Sequence, residues 1–262
     1  MKFQSEIRRG RFLMGIRPAP LAALLKFLLR VRRVEATTAE GRFWLDPASY
    51  LGLTLLETGN YEPAMLEVID HFVRAGGTFA DVGANEGYFS VAAARRAGPA
   101  GRVLAVEPQT RLHPVLQRNF ALNACTTAEL APYAVSDRPG EAALHLTPGV
   151  NNSASSLIRP TRYPLARQTV QCLTLADIFG RHSVDTCDLL KIDIEGWEYE
   201  AVLGSPDLFR SGRVKALALE LHPPLLLRRG LDSAKITDFL TECGYRPWSG
   251  SPNLVLVHAS AV

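Results

Sequence analysis

From residue 77 onward, short apolar runs alternate with longer amphipathic stretches. GTFADVG (77–83) reads as a strand closing on glycine, and 87–97 has helical composition. RVLAVEP (102–108) is a second strand, followed by a helix across Leu112, Leu116 and Phe120, and AELAPYAVS (128–136) is a third strand. Strand, short loop and helix in repetition predict parallel strands joined by right-handed crossovers. EAALHL (141–146) and the Asn- and Ser-rich VNNSASSL (150–157) predict a hairpin or excursion with a mobile loop. CDLLKIDIEG (187–196) and RVKALALELH (213–222) supply a fourth and a fifth parallel strand. A helix over 232–243 stops at Gly244, and YRPW and NLVLVHA, separated by SGSPN, predict a closing antiparallel hairpin. No repeat or linker interrupts residues 77–262, so they are expected to form one domain.

Upstream the pattern differs. Leu21, Leu24, Leu25, Leu28 and Leu29 recur at three- and four-residue spacing after Pro18 and Pro20. This predicts a short amphipathic helix, its apolar face packed on the body and cations on the other, with a membrane-interface position as the alternative. Residues 1–33 hold nine Lys or Arg against Glu6 alone, a charge of +8; the whole chain carries +3, so the rest carries −5. The acidic body excludes an enzyme with a long basic groove for nucleic acid. The basic head suits a membrane surface or an acidic partner. Residues 1–76 are therefore expected to be a basic helical extension packed on the 77–262 domain.

At 262 residues, 47% hydrophobic and 21% charged, the chain can bury a sizeable core, and no run approaches the ~20 apolar residues of a membrane span. Cys125, Cys172, Cys187 and Cys243 form no C-x-x-C pair, so neither a zinc site nor a disulfide framework is expected. His71, His113, His145, His182 and His258 show no metal-ligand spacing. With no secretory leader recognisable, the expected location is the cytoplasm, with residues 1–33 touching the inner membrane surface.

The segment richest in chemistry is ADVGANEGYFS (80–90), a strand ending in Gly-x-Asn-x-Gly before a helix. Gly83 and Gly87 let the backbone approach a ligand, and the helix start offers unpaired N–H groups. Asp81 puts a carboxylate at the strand end. A dinucleotide fingerprint would need glycine where Tyr88 stands, so diphosphate binding, and with it a dehydrogenase, is disfavoured. Twenty residues after Gly87 the next strand ends in Glu107-Pro108, and an acid there can accept hydrogen bonds from both hydroxyls of a ribose. A ribose site without a diphosphate cradle points to S-adenosylmethionine. Farther on, Lys191, Asp193 and Glu195 of KIDIEG would share one face of a strand. Lys191 is expected to neutralise a carboxylate inside the sheet, and Asp193 and Glu195 to face cofactor and acceptor. Trp197 is expected in the core.

These segments, in order, resemble the FkbM family of S-adenosylmethionine-dependent methyltransferases: GNYEP (59–63), DVGANEGYFS (81–90), VEPQ (106–109) with NFALN (119–123), AVSDRPGEAAL (134–144), LLKIDIEGWEYEAVLGS (189–205) and LALELHP (217–223). The resemblance spans roughly residues 50–222 and implies a class I methyltransferase fold. That is a Rossmann-like α/β fold with a seven-stranded, mostly parallel sheet, an antiparallel last strand and helices on both faces. It implies that Gly83, Asn85 and Gly87 lie under the methionine part of the cofactor, with Asp81 near its amino group. Glu107, beside Pro108, would hold the ribose, and Ser136 and Asp137 would edge the adenine. Tyr61 and Glu62 would close over the cofactor, or else serve only as a helix start.

The resemblance also implies O-methylation of a small-molecule or a glycan- or lipid-linked acceptor. The hydroxyl's proton must then leave. Asp193 or Glu195 is one candidate base and His222, ending the fifth strand, is the other; a carboxylate pair holding a divalent ion is the alternative. The acceptor loop is expected within 147–165, with Arg159, Arg162 and the nearby Arg167 suiting an anionic group. N- or protein methylation with the same cofactor, and a cofactor-binding scaffold without turnover, stay open.

Overall fold

A computed structural model describes residues 3–146 and 166–261. Two helices come first, α1 (Gln4–Gly15) and α2 (Ala19–Leu28), then a hairpin of β1 (Val34–Thr38) and β2 (Gly41–Leu45), then α3 (Tyr50–Thr58) and α4 (Pro63–Phe72). The alternating part runs β3 (Thr78–Val82), α5 (Tyr88–Ala97), β4 (Arg102–Val106), α6 (His113–Leu122), β5 (Ala128–Ala131), β6 (Ala134–Val135), β7 (Gly140–His145) and β8 (Arg167–Leu173). It continues with α7 (Leu175–Arg181), β9 (Cys187–Ile192), α8 (Glu198–Leu203), α9 (Pro206–Arg210), β10 (Val214–Leu219), α10 (Pro223–Arg228), α11 (Ala234–Glu242), β11 (Tyr245–Pro247) and β12 (Val255–His258).

Seven strands form one sheet in the order β11-β12-β10-β9-β3-β4-β5. Strands β5, β4, β3, β9 and β10 are mutually parallel, while β12 runs antiparallel to both β10 and β11. This is the class I methyltransferase arrangement, with the antiparallel last strand inserted between β10 and β11. Alternation along the strands divides the core in two. Phe79, Val103, Leu189 and Ala216 face a layer with α4, α5 and the β1–β2 hairpin, whereas Ala80, Leu104, Leu190 and Leu217 face α7, α8, α9 and α11. Ala36, Phe43, Leu45, Leu51 and Val68 belong to the first of these clusters, so residues 34–73 share a core with the sheet.

Two expectations are corrected here. The third strand is broken: β5 pairs with β4, but the chain then leaves the sheet and β6 joins β8 and β7 in a separate three-stranded sheet. Pro132 lies in the break, where it can donate no ladder hydrogen bond. The antiparallel β7–β8 pair matches the expected excursion. Residues 147–165, where the acceptor loop with Arg159 and Arg162 is expected, lie outside the described residues, and Arg167 is exposed at the start of β8.

The second correction concerns α2, which does not pack through its leucines. Its inner face is Ala22, buried against Leu13 and Ala48, together with half-buried Leu25 and Lys26, whose ammonium pairs with the buried Asp46. The small Ala22 permits the close approach, and the Asp46 carboxylate draws the cation inward, since a buried charge without a partner is costly. Leu21, Leu24, Leu28 and Leu29 are consequently left outside. Among the described residues, no helix is long and apolar enough to cross a membrane.

Candidate active site

The chain proceeds from β3 to β4 and β5 on one side, then returns to place β9 and β10 on the other. The crevice at the carboxyl ends of β3 and β9 is therefore the switch point of the sheet, where open α/β folds bind ligands. Two groups of charged side chains meet there.

The first surrounds the turn after β3. Both Gly83 N–H and Ala84 N–H donate to the Val106 carbonyl, at 3.0 and 3.1 Å, fastening the turn to β4. Gly83, Asn85 and Gly87 have φ of +86°, +51° and +80°, and α5 begins directly after Gly87. The glycines are required first by the protein itself: a Cβ on Gly83 would strike the Asp193 carbonyl oxygen, and one on Gly87 would lie 3.1 Å from Leu116 Cγ. Asp81, fully buried, accepts from Ser90 Oγ at 2.6 Å. Register places Lys191 beside it, with Nζ 4.0 Å from Asp81 and 3.3 Å from Asp193. Burial works to depress the Lys191 pKa, but the Asp193 and Asp81 charges outweigh it and raise it. The expectation that Lys191 neutralises a carboxylate within the sheet matches this geometry.

Glu107, just past β4, is held from two sides: Oε2 accepts from Asn85 N–H and Oε1 from Gln109 N–H, each at 2.8 Å. Burial lifts its pKa to about 7, while these two backbone donors pull it downward. Pro108 follows it, its carbonyl accepting from Gln168 Nε2 at 3.0 Å. Ser136 follows β6, its N–H bonded to the Leu173 carbonyl, and Asp137 is exposed beside Gly204 at the end of α8.

The second group lies at the ends of β9 and β10. The expected strand face of Lys191, Asp193 and Glu195 is only half present, because β9 ends at Ile192. Asp193 still donates its N–H to the Val82 carbonyl at 3.0 Å, but Glu195 sits at φ +52° and Gly196 at +92°, turning the chain into α8. That turn swings Glu195 to His222, with Oε2 3.8 Å from Nε2. Behind the imidazole stands Glu198, fully buried, whose Oε1 is 2.8 Å from His222 Nδ1 and also accepts from Gly196 N–H at 2.8 Å. The bond to Glu198 carries the His222 pKa to about 9 against the cost of burial, so the ring is cationic at neutral pH. Burial raises Glu195, with His222 opposing. Trp197 caps α8 half-buried, with the Arg229 guanidinium 3.7 Å from its ring centroid, and Arg229 also donates to the Gly196 carbonyl at 2.7 Å.

A cavity of about 510 Å³ opens beside this group, lined by Glu62, Met65, Lys191, Leu219, Glu220 and Asn253. Glu62 is exposed at the start of α4, and the Tyr61 ring next to it packs edge-on against Tyr88. Asp193, Glu195 and His222 each offer one ligand atom within 4.8 Å of the others.

Two contributors escaped sequence reasoning. Glu198 was visible in KIDIEGWE only as one more acid, and nothing local marks it as the partner of a histidine 24 residues on. Glu86, inside the glycine turn, is buried and takes a two-pronged ion pair from Arg33, at 2.8 and 2.9 Å, across 53 residues.

A family model described as the methyltransferase FkbM domain matches residues 81–247. No curated protein matches the chain. Among solved structures, it is similar to a SAM-dependent methyltransferase from Aquifex aeolicus, at 14% identity over 78% of this chain and 90% of that one, with a TM-score of 0.43. It is also similar to a SAM-dependent O-methyltransferase from Thermotoga maritima, at 10% identity over 86% and 84%, with a TM-score of 0.42. A third is fibrillarin from Aeropyrum pernix with natively bound S-adenosyl-L-methionine, at 12% identity over 71% and 67%, with a TM-score of 0.39.

Proposed function

The chain belongs to the FkbM methyltransferase family, and from that premise we propose that it uses S-adenosylmethionine to methylate a hydroxyl of a small-molecule or a glycan- or lipid-linked acceptor. The residues at the switch point fit the cofactor. Each Glu107 oxygen keeps a lone pair beyond its backbone donor, so the carboxylate can receive two ribose hydroxyls without rearranging. Asp81 Oδ1 is buried without a hydrogen-bond partner, as a site for an ammonium donor would be. Gly83, Asn85 and Gly87 would underlie the methionine part, Pro108, Ser136 and Asp137 would flank the adenine, and Glu62 and Asp193 would close the methionine end. When bound, the cofactor supplies a methyl group on a cationic sulfonium.

The observation that carries the hydroxyl reading is the Glu195–His222–Glu198 line. An alcohol gives up its proton reluctantly, so a base must stand ready. The bond to Glu198 raises the His222 pKa to about 9 and favours its protonated form, which leaves Glu195 as the group that would accept the proton at Oε2. The imidazolium, fixed by Glu198, steadies the negative charge as it moves from the carboxylate's side to the acceptor oxygen. Incubation with methyl-labelled cofactor and candidate acceptor extracts tests this. A labelled product stable to base and resistant to amine-specific reagents supports an ether. A base-labile ester or a labelled amine overturns the hydroxyl reading, and cofactor binding without S-adenosylhomocysteine release indicates a scaffold.

A second reading uses the same cluster. Asp193, Glu195 and His222 could instead hold a divalent cation, with Nδ1 donating to Glu198 in the way a metal-bound imidazole is usually oriented. Turnover abolished by a chelator and restored by a divalent cation favours that reading.

A further inference from the structure

The head of the molecule turns its oily side outward. Along α2, Leu21, Leu24, Phe27 and Leu28 lie at three- and four-residue spacing on the side away from Ala22, Leu25 and Lys26. Leu24 is 54% exposed, Phe27 79% and Leu28 61%. Phe12 of α1 and Leu29 are exposed as well. A helix packed on a water-facing protein puts its leucines inward. Here four of the five leucines of residues 21–29 point out, and Ala22, Leu25 and Lys26 take the inward positions. Outside α1–α2 and Leu29, only Tyr50 and Leu227 are large apolar residues exposed in this way among those described.

Charge completes the pattern. Four cations of the head are bound to the protein: Arg11 to Glu57, Lys26 to Asp46, Arg33 to Glu86, and Arg17 to the carbonyls of Met14 and Ile16. Arg8, Arg9, Arg30 and Arg32 are exposed and make no ion pair among the described residues. An apolar helical stripe on a head that also exposes Arg8, Arg9, Arg30 and Arg32, of which Arg9 faces only Glu6, is complementary to a surface that is greasy below and negative above. Another protein would need an acidic rim to match, while an anionic bilayer offers both properties at once.

We propose that the outward face of α2, with Phe12 and the arginines Arg8, Arg9, Arg30 and Arg32, docks on the headgroup region of an anionic lipid bilayer. The helix is ten residues long and lies in the interface plane rather than crossing it. Docking is independent of the methyl-transfer reading, since none of these residues lines the switch-point crevice.

The test is co-sedimentation of the full chain with phosphatidylcholine vesicles made with and without phosphatidylglycerol, at low and high salt. Cofactor affinity measured on the same samples reports an intact fold. Binding is expected only to the phosphatidylglycerol vesicles, weakening as salt rises. Replacing Arg8, Arg9, Arg30 and Arg32 together by Gln should weaken it by roughly fivefold per arginine. The exposed-face variant Leu24→Ser with Phe27→Ser should lower it at least tenfold, with cofactor affinity unchanged in both. No sedimentation with anionic vesicles at low salt overturns the proposal. So does a concentration-dependent dimer that Phe27→Ser abolishes, because a second copy would then be covering the face.

Discussion

The two halves of the crevice contain carboxylates in very different situations. On the β3–β4 side, Asp81 and Glu107 are almost wholly buried, and their partners are backbone N–H groups, Ser90 and Lys191. On the β9–β10 side, part-exposed Asp193 and Glu195 and exposed Glu220 gather round the His222 ring. A carboxylate fixed by backbone donors has one geometry and suits a ligand that is always the same. One that is exposed to solvent can change partner and protonation as an acceptor arrives and leaves. On the proposed function, the fixed side would hold the ribose and amino group of the cofactor, and Glu195 with His222 on the other would carry the chemistry, Asp193 standing between them.

The sharpest way to break that division is Glu195→Gln. Turnover should fall by roughly a hundredfold or more, as for loss of a general base, with cofactor affinity by calorimetry unchanged. A parallel loss of affinity would place Glu195 on the cofactor side. Next in size, Glu107→Ala should weaken cofactor binding by roughly one to two decades, since charge-assisted hydrogen bonds contribute about 1.5–3 kcal/mol. Unchanged affinity would remove Glu107 from the ribose.

A pH titration of the wild type separates the halves more finely. Burial raises Glu107 from 4.5 to about 7, so cofactor affinity should climb with pH through about 7 and then level off, as the ionised form becomes the acceptor of both hydroxyls. Folding stability moves the opposite way. A carboxyl raised in the folded state favours folding below its unfolded pKa, and that contribution is lost as pH rises through about 7. Glu107→Gln should flatten both curves, the first followed by calorimetry and the second by denaturant unfolding. The smallest effect expected is that of Ser90→Ala, which takes the hydroxyl from buried Asp81. It should lower stability by about 1–3 kcal/mol in denaturant unfolding and leave the acceptor side untouched.

Legibility in the sequence followed the range of each interaction. The β3 turn, the acid after β4 and the succession of strands and helices are local patterns repeated in sequence, and they stand where the pattern put them. Pro132 broke the third strand through a missing N–H, which composition alone could have warned of. Glu195 left its strand because residues 195 and 196 both adopt positive φ, a choice that alternation of charged and apolar residues does not encode. Glu198 behind His222 and Arg33 on Glu86 are tertiary partners, visible only once the chain is folded. The leucine spacing of α2 predicts an amphipathic helix, but not which environment its apolar side meets; in the structure Ala22 and Lys26 take the inner face and most of the leucines lie outside.

Arg33 on Glu86 has a practical meaning for where this molecule begins and ends as a working object. The stretch shared with relatives starts at residue 81, yet the carboxylate at its glycine turn is answered from residue 33, ahead of the hairpin and two helices. Replacing Arg33 alone would leave Glu86 buried with nothing opposite, a loss of about 3–5 kcal/mol, and cutting to the recognised stretch would also remove part of β3 and residues 34–73, which share the core. Anyone trimming the gene for expression, or splicing this segment into another scaffold, would be dividing a single part in two.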